Sequence, residues 1–419
     1  MTSASLDTTQ FNLALLALGG LIYAYSLVSR YVKERLYLSA PILAVILGIV
    51  VGPLGWHIFD VQDWGQQDII LEELARLAIA MQLTSTALQL RSAYPFQRWR
   101  SLAIFLGPLM LAMWFVSSAL VYWLMDVEFW VAVLIGAIIT PTDPVLASNI
   151  VTGQFAEKHL PENVRNLLSA ESGLNDGLAY PFVFLPLLFL RPSTDSEIVH
   201  WLGKVWLWDV GVAIIAGLAM GYGAGKLLKW ANRKQLMDKQ SFLAYALALT
   251  LVTLGGIKLM NSDGILGVFM AGVGYDLVVQ GSDRADEENV QEALDLILTV
   301  VIFVLLGLVI PWQDWLALGW PGIALVITVL LLRRLPAFFL LNRFIPRSNG
   351  LKDALFMGWF GPIGVAALYY ANLAVHRTGI HEIWAIASLV IVGSVFVHGI
   401  TAVPLSIWYK KAQPSRPEN

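Results

Sequence analysis

The sequence predicts an all-α, polytopic membrane protein of about thirteen transmembrane helices. Of its 419 residues, 57% are hydrophobic and only 14% are charged, whereas globular domains average about 25% charged residues. Apolar runs near 20 residues recur along the whole chain, and this length crosses a bilayer as a helix. The composition excludes a soluble enzyme, a disordered chain and a nucleic-acid-binding protein. Because the sequence contains no cysteine, disulfides and thiolate chemistry are excluded as well.

Thirteen apolar segments are separated by short polar links, so we expect one membrane domain over 1–419 and no soluble domain of any size. The predicted spans are 11–28, 36–54, 68–90, 99–125, 129–152, 163–190, 204–230, 242–260, 262–280, 291–310, 319–343, 351–374 and 380–408.

The distribution of Lys and Arg predicts the orientation. When alternate links are assigned to opposite sides, the N-terminal side carries four basic residues and the other side carries twenty. Basic residues are enriched in cytoplasmic links. We therefore expect an outside N-terminus, a short cytoplasmic tail at 409–419 and a multi-pass protein of the cell membrane.

The fifth span contains the first candidate site, because Pro141 and Pro144 flank Thr142 and Asp143. Proline removes a backbone donor and clashes with the preceding turn, so the helix should open here. An opened helix at membrane depth is tolerated only where it lines a cavity or packs against protein. Its free backbone groups favour a site for small ions. The alternative role of Asp143 is to cap a half-helix, and the two roles are compatible.

The sixth span carries Glu171, Ser172, Asn175 and Asp176. At 100° per residue these side chains share an arc of about 140°. Such a polar face can join helices through hydrogen bonds. Two carboxylates within two turns are costly in a bilayer and favour a functional role, foremost for Asp176.

The twelfth span should also be interrupted, at Gly358, Gly361, Pro362 and Gly364. Interrupted segments in both halves of a chain favour an inverted-repeat transporter with its site where they meet. The alternative is a simple kink in a tightly packed helix.

The eleventh span contains Arg333 and Arg334. One could extend its charge to the membrane surface, while the other faces inward and pairs with Glu171. That pairing would leave Asp176 as the acid that gains and loses protons. In the alternative arrangement both arginines reach the surface.

Four motifs together resemble the monovalent cation:proton antiporters. These are TPTDPVLASNIV at 140–151, AESGLNDGLAYPF at 170–182, RRLP at 333–336 and GWFGPIGVAALYYA at 358–371. The Asn-Asp pair in the sixth span resembles the NhaP/NHE-like branch. The remaining motifs are similar to fungal plasma-membrane Na⁺/H⁺ antiporters and their bacterial relatives.

This resemblance implies a homodimer whose protomers contain two crossed, discontinuous helices. It implies an ion site of Thr142, Ser172 and Asp176 with Asp143 and Asn175 adjacent, a buried Glu171–Arg333 pair, and electroneutral exchange. We expect 68–190 and 291–374 to form the ion-translocating core, and 11–54 and 204–280 to form the dimerisation scaffold. Two positions depart from the family patterns: Gln89 replaces an expected Glu, and Gly361–Gly364 replaces an arginine-containing motif.

The expected function is therefore exchange of Na⁺ or Li⁺ for H⁺, with Asp176 holding either ion in turn. Oxygen ligands suit such hard cations. No nucleotide-binding glycine loop or hydrolase motif is present, so we expect no ATP use, no cofactor and no enzymatic reaction. The alternatives are K⁺/H⁺ exchange, a cation channel, an organic-acid carrier that uses the span 11 arginines, and an intramembrane hydrolase that uses Asp143 and Asp176.

Overall fold

The computed structural model describes residues 8–59, 67–90, 94–144, 146, 148–151, 153–191, 196–279, 283–345 and 350–412. Within these ranges the chain is helical, with no β-strand. Each predicted apolar segment contains helix, and two of the segments contain a break, described below.

The helices follow one another with short links. They are α1 (Thr8–Arg35), α2 (Ala40–Val51), α3 (Gln67–Gln89), α4 (Tyr94–Gln97), α5 (Trp99–Ile104), α6 (Met110–Met125), α7 (Phe129–Ile138), α8 (Ser148–Val151), α9 (Gly153–His159), α10 (Glu162–Leu190), α11 (Glu197–His200), α12 (Gly211–Arg233), α13 (Lys239–Leu259), α14 (Gly264–Asp276), α15 (Asp283–Leu308), α16 (Trp312–Leu332), α17 (Leu335–Leu341), α18 (Leu351–Trp359), α19 (Val365–Thr378) and α20 (Glu382–Lys411). Wider π-helical turns at Phe105–Leu109 and Trp201–Val210 make α5–α6 and α11–α12 continuous.

Within the described residues, six continuous helical stretches are long and apolar enough to cross a membrane by themselves. They are Asn12–Arg35, Trp99–Met125, Glu162–Leu190, Glu197–Arg233, Trp312–Phe344 and Glu382–Lys411. Several shorter apolar helices accompany them. The chain is therefore a multi-pass membrane protein, whereas the number of crossings and their orientation stay predictions.

Two boundaries differ from the predicted spans. The helix predicted at 204–230 extends from Glu197 to Arg233, because the polar residues at its ends continue the helix beyond the apolar run. The segment predicted to begin at 319 begins at Trp312. Gly319, with φ of 55°, bends that helix internally rather than starting it.

Both predicted interruptions are present. In span 5, α7 ends at Ile138 and helix resumes at Ser148. In span 12, α18 ends at Trp359 and α19 begins at Val365, so this is a true break and the alternative of a simple kink is wrong.

Glycines allow α12 and α14 to contact each other backbone to backbone. A Cβ added at Gly217 or Gly221 of α12 would lie 2.4 Å from the Gly267 carbonyl oxygen or 1.9 Å from that of Ala271. At Gly274 of α14, an added Cβ would lie 2.5 Å from the Leu218 carbonyl oxygen. Small residues at such spacing allow close helix contact in membranes. We call this contact the α12–α14 seam.

Candidate ion site at the crossing of two broken helices

The two unwound segments are joined directly through their backbones. The amide of Asp143 donates a hydrogen bond to the Pro362 carbonyl at 2.8 Å. A Cβ added at Gly364 would lie only 2.0 Å from Asp143 Oδ2. The absence of a side chain at position 364 is therefore what allows this approach.

Asp143 accepts hydrogen bonds from the first residue of α19 and from the turn that precedes α8. Its Oδ1 accepts from the Leu146 amide at 2.9 Å, and its Oδ2 accepts from the Val365 amide at 2.7 Å. Helix N-termini carry free N–H groups and partial positive charge. A buried carboxylate is stabilised by both. The capping role considered for Asp143 is thus present in the structure.

Arg333 binds backbone carbonyls just beyond the C-terminal ends of α7 and α18. Its guanidinium donates to the carbonyls of Ile139 and Gly361, and more weakly to Thr140 at 3.3 Å. Carbonyls at helix C-termini carry partial negative charge. Asp143 and Arg333 therefore neutralise the two kinds of exposed helix end at one crossing.

The buried ion pair is formed by Glu171 and Arg334. Arg334 Nη1 and Nη2 reach Glu171 Oε1 and Oε2, the second at 2.7 Å, in a bidentate pair. Arg334 Nε also donates to the Met357 carbonyl at 2.9 Å. The predicted Glu171–Arg333 pair is wrong, because the guanidinium of Arg333 is taken up by backbone carbonyls. Both arginines are only 2% exposed, so neither extends to the membrane surface.

Thr142, Ser172 and Asn175 form a continuous hydrogen-bond chain. Asn175 Oδ1 accepts from the Thr142 amide at 3.1 Å, and Asn175 Nδ2 donates to Thr142 Oγ1 at 2.8 Å. Because Thr142 Oγ1 accepts that bond, its own proton is available to Ser172 Oγ, 3.0 Å away. The side-chain amide of Asn175 thus binds the unwound segment to α10 through both its donor and its acceptor.

Asp176 lies next to this chain and is 1% exposed. Its Oδ1 is buried and has no hydrogen-bond partner among the residues that the structure describes. The Asp176 backbone carbonyl accepts from the Tyr370 hydroxyl at 2.7 Å, which joins α10 to α19. A buried carboxylate oxygen without a partner is costly unless a proton or a cation neutralises it.

His398 supports the second break from α20. Its Nε2 lies 3.1 Å from the Trp359 carbonyl, which accepts a hydrogen bond from Nε2 when that nitrogen is protonated. Its Nδ1 lies 3.0 Å from Ser394 Oγ, which accepts from the Ile363 amide at 2.8 Å. In the tautomer protonated at Nε2, the Ser394 hydroxyl can donate to Nδ1; Nδ1 also lies 3.1 Å from the Ser394 carbonyl. The apolar neighbours of His398 in the sequence gave no signal for this role.

Two cavities with polar linings approach α10 at different heights. The larger, about 350 Å³, includes Ser169 and Pro144 in its lining. The smaller, about 10 Å³, is lined by Tyr180, Tyr369 and Asp263 among others. At 1.5 Å per residue, Asp176 lies about 10 Å along the helix beyond Ser169 and about 6 Å before Tyr180. The acid therefore lies between a spacious cavity and one with room for about one water.

These features define a helical membrane protein with two interrupted helices that cross at a buried carboxylate. A family model described as "Sodium/hydrogen exchanger, transmembrane" matches residues 22–408. The chain therefore belongs to the sodium/hydrogen exchanger family, as its motifs suggested.

Curated relatives and a solved structure agree with this membership. The chain is 35% identical to the Na(+)/H(+) antiporter 2 of Zygosaccharomyces rouxii, over 95% of this chain and 53% of that protein. It is 34% identical to the Na(+)/H(+) antiporter of Saccharomyces cerevisiae, over 96% of this chain and 44% of that one. It thus spans about half the length of these relatives. The sodium proton antiporter MjNhaP1 of Methanocaldococcus jannaschii has the same fold, with a TM-score of 0.73 at 20% identity, over 96% of this chain and 97% of that one.

Proposed function

We propose that this chain exchanges Na⁺ or Li⁺ for H⁺ by alternating access, with Asp176 bound by either ion in turn. The observation that carries the proposal is the buried, unpartnered Oδ1 of Asp176 beside the crossing of the two broken helices. The names of the fungal relatives support sodium as the cation.

The groups next to Asp176 suit a small, partly dehydrated cation. The hydroxyls of Thr142 and Ser172 are hydrogen-bonded to each other at 3.0 Å, and the unwound segment beside them contributes carbonyl oxygens. Hard monovalent cations prefer such oxygen ligands. The remaining charges at the crossing are engaged with the helix ends or with each other, which leaves Asp176 as the group whose charge changes.

Coupling follows from this charge arrangement. With a proton or a cation bound, the Asp176 site is neutral and can change its accessibility at low cost. With neither bound, a bare carboxylate would cross an apolar region at a high cost in free energy. The two ions therefore exchange one for one without nucleotide hydrolysis. Asn175 keeps the stoichiometry electroneutral, because its amide is neutral and is committed to Thr142.

The cavities support an orientation for the access paths. Lys33 lies at the 350 Å³ cavity, on the side that the basic residues predict to be cytoplasmic. The 10 Å³ cavity near Tyr180 would widen as the larger cavity closes. We propose that the described conformation is open toward the cytoplasm and closed toward the outside.

We further propose that the protein works as a homodimer, with 68–190 and 291–374 forming the moving core and 11–54 and 204–280 the scaffold. The supporting observation is the long apolar face of α1, on which Leu16 and Leu27 are each 70% exposed. In a bilayer this face contacts lipid or a second copy. Cross-linking of single-cysteine variants at these two positions, in a chain that has no native cysteine, would distinguish the two.

Proteoliposomes with a preset pH gradient test the exchange. Addition of Na⁺ or Li⁺ should dissipate the gradient. Addition of K⁺ instead tests the alternative of K⁺/H⁺ exchange.

Asp176→Ala should abolish exchange while the protein still folds, and Asp176→Asn should behave as a permanently protonated site. Asp314→Asn, at the exposed start of α16, is the matched control. Near-normal exchange by Asp176→Ala would overturn the proposal, and cation flux without proton movement would indicate a channel.

A further inference from the structure

Polar side chains from two helices face the larger cavity at helical spacing. On α3 the positions are three, four and seven residues from the first, and on α15 they are four apart, so each set forms one stripe. The stripes consist of Gln82, Ser85, Thr86 and Gln89 on α3, and of Asp295 and Thr299 on α15.

Gln82 is the informative member of this set. It is 1% exposed, and its Oε1 is buried without a hydrogen-bond partner in the part of the chain that the structure describes. Its Nε2 donates to Thr299 Oγ1 at 3.5 Å, which orients the amide. A buried amide oxygen left without a donor costs free energy, so in this polar cavity Gln82 Oε1 is available to a donor or to a cation.

We propose that these stripes form a second, outer cation-binding station that holds a hydrated alkali cation before it reaches Asp176. Gln82 Oε1 and neighbouring hydroxyls supply neutral oxygen ligands, and Asp295, 9% exposed, supplies the compensating charge. This donor set suits a hard monovalent cation. The 350 Å³ cavity has room for many waters, so the ion keeps much of its hydration shell. Lys33 at the same cavity keeps the affinity low enough for release.

The station lies on the path to the exchange site, and its role in transport rests on the proposed function. Ser169 lines the cavity one turn before Ser172, which contacts Thr142. Pro144, in the later part of the unwound segment, lines the same cavity, so a cation leaving Gln82 meets the broken helix there. Because α3 and α15 contribute the station while α10 contributes Asp176, the two sites reside on different helices and can be tested separately.

A binding measurement tests the station without transport. Purified Asp176→Asn protein should still bind ²²Na⁺ weakly in a scintillation proximity assay, and adding Asp295→Asn or Gln82→Leu should remove that binding. Combining Asp295→Asn with Gln82→Glu should restore it, because the carboxylate returns to the same cavity. Glu162→Gln, an exposed acid at the start of α10, should leave binding unchanged.

A transport measurement adds a second readout. In otherwise wild-type protein at low salt, Asp295→Asn should raise the apparent KM for Na⁺ about fivefold, corresponding to about 1 kcal/mol, with the maximal rate unchanged. Absence of residual ²²Na⁺ binding in Asp176→Asn, or residual binding that Asp295→Asn leaves intact, would overturn the station. If wild-type protein performed no exchange but showed the predicted binding pattern, the exchange proposal would fail and the station would stand.

Discussion

Asp143 Oδ2 and the Val365 amide, 222 residues apart in sequence, form a 2.7 Å hydrogen bond at the centre of the molecule. The same carboxylate also holds the Leu146 amide. One side chain thus caps the start of α19 and also binds the turn that precedes α8. Arg333 binds the carbonyl ends of the preceding half-helices, so an acid and a base divide the four helix ends between them.

Gly364→Ala should disrupt this crossing. The added methyl group would lie 2.0 Å from Asp143 Oδ2, and overpacking of this kind costs about 1–3 kcal/mol. We expect a lower unfolding temperature in detergent and a loss of most exchange in proteoliposomes. Gly255→Ala, where a Cβ would meet nothing within 4 Å, is the control. Equal behaviour of the two variants would contradict the close approach.

Glu171 should couple energetically to Arg334 more strongly than to Arg333. Removal of one partner of a buried pair costs about 3–5 kcal/mol, so Glu171→Gln should chiefly lower stability and yield. A double-mutant cycle on unfolding free energy with Arg334→Lys should give a coupling of about 0.5–3 kcal/mol. The parallel cycle with Arg333→Lys should give a smaller one. A larger coupling energy with Arg333 than with Arg334 would support the Glu171–Arg333 pair predicted from sequence. An effect of Glu171→Gln on cation affinity alone would contradict the structural role of Glu171.

His398→Leu should impair exchange, whereas His398→Gln should retain most of it. Leucine leaves the Trp359 carbonyl and Ser394 without their partner, at about 1–3 kcal/mol for each unsatisfied group. A glutamine amide offers both a donor and an acceptor to the same two groups. Cation KM and unfolding temperature, measured for both variants, check this. Equal losses in the two variants would show that the ring's shape matters rather than its hydrogen bonds.

Asn175→Asp should make exchange sensitive to membrane voltage. A carboxylate cannot donate to Thr142 Oγ1 as the amide does at 2.8 Å, and it adds a second titrating group to the site. Potassium diffusion potentials set with valinomycin, at fixed pH and Na⁺ gradients, measure the response. Wild-type exchange should be unaffected by the potential. A voltage-dependent wild-type rate would exclude the electroneutral mechanism.

Sequence reasoning located both breaks because proline and glycine act locally. Pro141 and Pro144 remove backbone donors whatever their surroundings, and the glycine-rich run before Val365 has little side-chain packing to hold a helix. The polar arc on α10 was also predictable, because one regular helix carries all four residues.

The choice between Arg333 and Arg334 could not be made from spacing. α16 ends at Leu332 and α17 begins at Leu335, so the two adjacent arginines lie at a helix junction, and the spacing of the sequence does not tell which guanidinium reaches Glu171. The partner of Asp143 on α19 and the role of His398 depend on contacts between distant segments, which no local pattern records. The cavity faced by Gln82 and Asp295 likewise exists only once α3 and α15 are assembled.

The α12–α14 seam determines which surfaces are free to move. Where the backbones touch at these glycines no side chain lies between the helices to rearrange, so we expect the two helices to move together as one rigid body. Asp263, which caps the start of α14 through the Ile265 amide at 3.0 Å, travels with them. The part of the small cavity formed by Asp263 therefore moves with the pair, and outward opening requires it to separate from Tyr180 of α10 and Tyr369 of α19, which line the same cavity.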